Sequence, residues 1–199
     1  MMSTLALVCA GCSHGANPVD ANSLPLNPHP GPTVEIIGDI PTHFAVDRFR
    51  VVYGTNSPSA SCNGANYPDG GPFPLWTEIY VSARRAGDEV ATEIEPDRYL
   101  PGPCRWQIEG VHAILRNGDG ETTEPLVAID HNWSQRYAAR GDAQQVGQTA
   151  TFYCGRKHGA FGCSDGPPGD SSYLPVQIKA GDRQARFVVH NSGYRAPSG

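Results

Sequence analysis

Thr77-Glu78-Ile79-Tyr80-Val81-Ser82-Ala83 sets Ile79, Val81 and Ala83 on one face and Glu78, Tyr80 and Ser82 on the other. A period of two is the mark of a strand with one buried face, because successive side chains of extended backbone point to opposite sides. Val176-Gln177-Ile178-Lys179 repeats the pattern near the end of the chain. Further short apolar or β-branched runs predict strands over 33–40, 44–53, 75–84, 89–95, 105–116, 125–130, 148–153, 174–179 and 184–190. Turn-forming residues separate several of them, as in Ala86-Gly87-Asp88, Asn117-Gly118-Asp119-Gly120 and Ala180-Gly181-Asp182, and the last two are expected to close hairpins. No segment of a dozen residues keeps helical spacing. The one candidate helix, 133–140, ends at Gly141 and reads equally well as loop. The chain therefore reads as all-β, an antiparallel immunoglobulin-like sandwich of about nine strands, with a small β-barrel as the alternative.

Two long connections, 55–74 and 155–172, are dense in Gly, Pro, Ser and Asp. Loops of that length in a compact domain are functional or need stapling. The first holds Cys62, and the second follows Cys154 and holds Cys163. Cys154 and Cys163 flank one short Gly-rich loop, which favours a Cys154–Cys163 bridge and leaves Cys62 for Cys104. A metal site built from Cys154, His158 and Cys163 is the alternative, although no second Cys pair completes a zinc set.

The N-terminus has a different character. Residues 1–12, Met-Met-Ser-Thr-Leu-Ala-Leu-Val-Cys-Ala-Gly-Cys, carry no charge and form an apolar run too short to span a bilayer, as the apolar part of a signal peptide would be. Ala10-Gly11-Cys12, with Leu7 and Val8 upstream, resembles the lipobox of bacterial lipoproteins. That resemblance covers residues 5–12 and implies cleavage before Cys12 and lipidation of Cys12. Cys9 stands where the lipobox usually has Leu, and the basic leader is missing, which places the expected start codon upstream of Met1. An ordinary secretory signal and a buried first strand are the rival readings. Residues 13–32 follow, rich in Asn, Pro, Ser and Gly, and read as a flexible tether. The expected organisation is a signal over 1–11, a lipidated cysteine and tether over 12–32, and one β-sandwich over 33–195.

With Cys9 removed and Cys12 acylated, six cysteines leave four, the even remainder that an oxidising compartment predicts. The formal charge of −5 does not suit nucleic acid. Arg84-Arg85 and Arg156-Lys157 read as solvated faces. Gly11-Cys12-Ser13-His14-Gly15 matches Gly-x-Ser-x-Gly by letters but lacks its strand–turn–helix setting. Asp130-His131 is the densest polar cluster beside a strand end and would serve an envelope-polymer hydrolase, although no partner nucleophile is spaced to it. The seven histidines contain no close ligand pair. Asn117–Glu121 and 165–170 offer oxygen ligands but do not fill a calcium-loop pattern. No cofactor is expected.

The chain thus reads as a non-enzymatic envelope lipoprotein, held by Cys12 at the outer membrane and facing the periplasm. It is expected to bind a protein partner, in the sharpest form as an immunity protein against a periplasm-delivered toxin. Tyr67, Phe73, Trp76, Phe161 and Tyr173, in or beside the two long loops, are the expected partner anchors. A purely structural or assembly role is the remaining alternative.

Overall fold

The computed structural model describes residues 18–57, 59–66, 72–130, 149–157, 159–164 and 176–192. Cys9, Cys12, Tyr67, His131, residues 133–140, His158, residues 165–170 and Tyr173 lie outside them, as do the side chains of Phe73 and Asp130. The described chain forms β1 (Val34–Asp39), β2 (Ala45–Thr55), β3 (Asn63–Asn66), β4 (Pro72–Pro74), β5 (Trp76–Ser82), β6 (Arg84–Ala86), β7 (Glu89–Ile94), β8 (Trp106–Arg116), β9 (Thr122–Thr123), β10 (Leu126–Asp130), β11 (Thr149–Lys157), β12 (Ala160–Ser164), β13 (Val176–Ile178) and β14 (Gln184–Asn191). All nine expected strands are present. The additional ones are short and lie in connections or at edges.

Two sheets stack as a sandwich. One runs β12-β11-β14-β1-β7-β6; the other runs β13-β10-β8-β2-β5, with β9 also paired to β8. Neither closes into a barrel among the described residues. Most ladders are antiparallel, but β1–β14, β11–β14 and β10–β13 are parallel. Side-chain alternation is the same in both orientations, so the sequence pattern carries no information on strand direction. The turn at Ala180–Asp182 also departs from expectation. It leads from β13 in one sheet to β14 in the other, so it is an arch over the core and not a hairpin. Asn117–Gly120 does close the β8–β9 hairpin.

The core lies between the sheets. Phe49 of β2 meets Phe187 of β14 edge-on at 6.1 Å, and Phe187 meets Phe152 of β11 at 6.4 Å. The Phe187 ring lies over Gly38, where a Cβ would collide with it. Ile79 and Val81 pack on this core as the alternation over Thr77–Ala83 predicts, while Tyr80 on the other face is 49 % exposed.

Residues 18–32 correct the tether expectation. The Val19 amide donates to the Trp76 carbonyl at 2.7 Å and Thr77 Oγ1 donates to the Val19 carbonyl at 2.6 Å. Farther along, Leu100 N donates to Pro25 O at 3.0 Å, Asn27 N to Arg98 O at 2.8 Å, and Gly31 N to Asp97 Oδ2 at 2.8 Å. Low apolar content does prevent this stretch from folding alone. It docks because the domain supplies partners for its backbone and room for Leu24 against the core.

Candidate functional site

β1, β11 and β14 run in one direction, and β2 starts where β1 ends. One end of the sandwich therefore gathers the turn before β2, the β8–β9 turn, the β11–β12 hairpin and the end of β14. There a cleft of about 150 Å³ is lined by His43, Phe44, Asn117, Gly118, Asp119, Gly155, Arg156, Phe161 and Asn191.

Each wall has a local cause. Phe44 leads into β2, and the turn that carries it is tied down by Arg85, whose Nη1 donates to Phe44 O at 2.7 Å and whose Nε donates to Gly87 O at 2.8 Å. The Phe44 and Phe161 rings sit 5.7 Å apart, and His43 lies 4.1 Å from Phe44. Cys154 faces Cys163 across the β11–β12 ladder, and their disulfide fixes the hairpin that presents Phe161. The Asn117 side-chain oxygen accepts from the amides of Asp119 and Glu121 at 3.0 and 2.9 Å, an Asx-type turn.

Arg156 crosses from the hairpin to that turn. Its Nη2 lies 2.6 Å from Glu121 Oε2 and 3.3 Å from Asp119 Oδ2, and its Nε donates to Glu121 at 2.8 Å. Donation from Asn117 and from Arg156 holds the Glu121 carboxyl below the usual carboxylate range. Arg84 and Arg85 are exposed, as expected of a solvated face, although Arg85 also fastens the turn; Arg156 is partly buried and is a fastening, which the sequence did not predict.

Of the expected anchors with described side chains, Phe161 is in the cleft and Trp76 is not. Trp76 pairs with Gly54 near the other end of β2, so the structure keeps the two apart. That second end is closed. Residues 18–31 cross it, the Cys62–Cys104 disulfide staples it, and Tyr99 packs between Tyr53 and Trp106 at 5.0 and 6.5 Å. Burial pushes the Tyr53 phenol well above its usual value, and its hydroxyl donates to Glu95 O at 2.8 Å. Both disulfides join the cysteines paired by the sequence argument, which uses up the two thiols of the alternative metal set. Among the described residues no three His, Cys, Asp or Glu side chains are grouped to hold a metal.

A second polar cluster lies on the outer face of the sheet at β8–β2–β5. Arg50 bridges Glu124 at 2.9 Å and Glu78 at 3.3 Å, and His112 Nδ1 lies 3.2 Å from the Glu124 carbonyl. Burial, aided by Arg50, lowers the His112 pKa to about 4. A neutral imidazole with so low a pKa is a weak base at neutral pH, so this cluster serves as a rivet between strands. Asp130 ends β10 beside Ile178 of β13.

The cleft offers ring faces, the side-chain amide of Asn191, and a guanidinium already committed to two carboxylates. That chemistry suits grip on a side chain with an apolar body and a polar tip. Sequence reasoning found Phe161 and the Asn117 turn but missed Phe44, Asn191 and the Arg156–Glu121 pair. No family model, no curated protein and no solved structure matches the chain.

Proposed function

We propose that this chain is a non-enzymatic binding domain of the bacterial cell envelope, held by a lipid on Cys12 at the outer membrane and facing the periplasm. Its cleft around Phe44, Phe161 and Arg156 receives a protein partner. The observation that carries the binding reading is the cleft itself, whose apolar walls come from separate turns and are fixed by a disulfide, an Asx turn and a doubly paired arginine. Preformed walls of this kind reduce the ordering cost of association. Two bridges within one small domain support an oxidising compartment, and the Ala10-Gly11-Cys12 segment supports the anchor. In its sharpest form the partner is a toxin delivered into the periplasm; a secreted-effector gene beside this one would support that form.

The test is photo-crosslinking in intact cells from a probe at Gly118, on the cleft rim, in the parent chain and in Phe161→Asp. One protein captured by the parent and lost in Phe161→Asp, with both disulfides intact, is the expected result. Capture that does not depend on Phe161, or no capture at all, overturns the cleft assignment. Labelling with a palmitate analogue tests the anchor separately and is expected to disappear in Cys12→Ser.

A further inference from the structure

We infer that the closed end of the sandwich is the surface that rests on the lipid bilayer, with Leu26 and Leu100 against the headgroups and the cleft turned away from the membrane. The inference rests on lipidation of Cys12 and adds an orientation to it.

The first ground is reach. Val19 is fixed to Trp76 and Thr77 at the closed end, and six residues, hence seven Cα–Cα steps, separate it from Cys12. Whatever its conformation, that stretch spans no more than about 25 Å. The cleft lies at the other end of β2, whose eleven residues span roughly 35 Å. The stretch is too short for the domain to turn over and present its cleft to the bilayer. A tether running freely to residue 32 would impose no such limit, so the docking of residues 18–31 sets the orientation.

The second ground is the surface. Leu26 is 58 % exposed and Leu100 39 % exposed, two of the three large apolar side chains that stand out from the described surface. They are neighbours, because Leu26 pairs with Tyr99 and Leu100 N donates to Pro25 O. Around them are exposed Pro25, Pro28, Pro101 and Pro103; 21–33 and 99–104 contain no Asp, Glu, Lys or Arg, His29 is the one titratable base in them, and the Asp97 carboxylate at the edge of the patch accepts from Gly31 N. A proline-stiffened apolar tip whose nearest carboxylate is already hydrogen-bonded meets a headgroup layer at little desolvation cost.

The experiment uses the full chain with Cys9→Ser, which leaves Cys12 as the only cysteine outside the two bridges. Coupling Cys12 to a maleimide-headgroup lipid in phosphatidylcholine vesicles puts the anchor at this residue whether or not cells acylate it. A donor dye is placed through an encoded azide at His29, on the closed end, or at Glu89, on the cleft end, and the vesicles carry an acceptor lipid. Energy transfer several-fold stronger from His29 than from Glu89 is expected. The Leu26→Asp/Leu100→Asp pair should reduce the His29 signal, and a long Gly-Ser insert between Cys12 and Pro18 should level the two positions. Equal transfer from both positions in the parent chain, or stronger transfer from Glu89, overturns the orientation. Absence of palmitate labelling on the parent chain in cells, or equal labelling of Cys12→Ser, would overturn the lipoprotein reading alone, since the coupled chain still reports which end faces lipid.

Discussion

The two ends of this sandwich are stapled alike and finished differently. Each carries one disulfide, but Cys62–Cys104 closes a separation of 42 residues at the end that also holds a docked segment and three packed aromatics, whereas Cys154–Cys163 closes 9 residues across one hairpin. At the closed end the aromatics are spent on packing: Tyr99 is only 2 % exposed. At the cleft end Phe44 is buried but Phe161 is only partly so, leaving ring surface for another molecule. Aromatic rings fill the core at one end and stay partly uncovered in a cleft at the other because, among the described residues, a segment is laid across the first end alone.

Truncating an aromatic at each end should break this comparison most sharply. Tyr99→Ala should cost roughly 3–5 kcal/mol in urea unfolding, the range for emptying a buried aromatic site. Phe161→Ala should cost under about 1.5 kcal/mol, because the ring is half-buried, yet remove partner capture. Equal losses of stability would show that the cleft end is packed like the other.

The disulfides sharpen the contrast. Restriction of the unfolded chain alone predicts about 4 kcal/mol for Cys62–Cys104 and about 2.5 kcal/mol for Cys154–Cys163. The double variants Cys62→Ser/Cys104→Ser and Cys154→Ser/Cys163→Ser should differ in that order by thermal or urea midpoint. If the second pair proves the more costly, the cleft hairpin carries more of the fold than its short loop implies.

His112 supplies a comparison point on the sheet between the ends. Unfolded, its imidazole takes a proton near pH 6.5; folded, it does so only near 4. Between those values the unfolded state binds the extra proton, so stability falls as pH drops from about 6.5 to about 4, by on the order of 3 kcal/mol. Glu121, whose carboxyl is held low, adds loss in the same direction below about pH 4.5. Urea midpoints at pH 7 and pH 4.5 should differ less in His112→Asn than in the parent, with partner capture at neutral pH unchanged. An identical acid response in both would remove His112 from the account.

Strand content was legible because a buried face must be apolar at every second residue, and β5 and β13 state that rule in a few letters. The disulfide pairing followed from Cys154 and Cys163 flanking one short loop. The site was less legible. Phe161 stood out as an aromatic in a Gly-rich loop, but Phe44 looked like any first residue of a strand. Arg156 and Glu121 are 35 residues apart, with nothing local linking them. Residues 18–32 misled for a related reason: composition reports what a segment can bury by itself, not what a neighbouring surface offers its backbone.

The sequence by itself determined which segments extend, which turns break them and which cysteines join, because all three depend on side-chain period, local backbone preference and short loop length. Tertiary structure alone decided strand direction, the assignment of β13 and β14 to opposite sheets, and the gathering of Phe44, Asn117, Arg156 and Phe161 at one end. Those outcomes depend on contacts between residues distant in sequence, and a one-dimensional pattern does not record which distant partners meet.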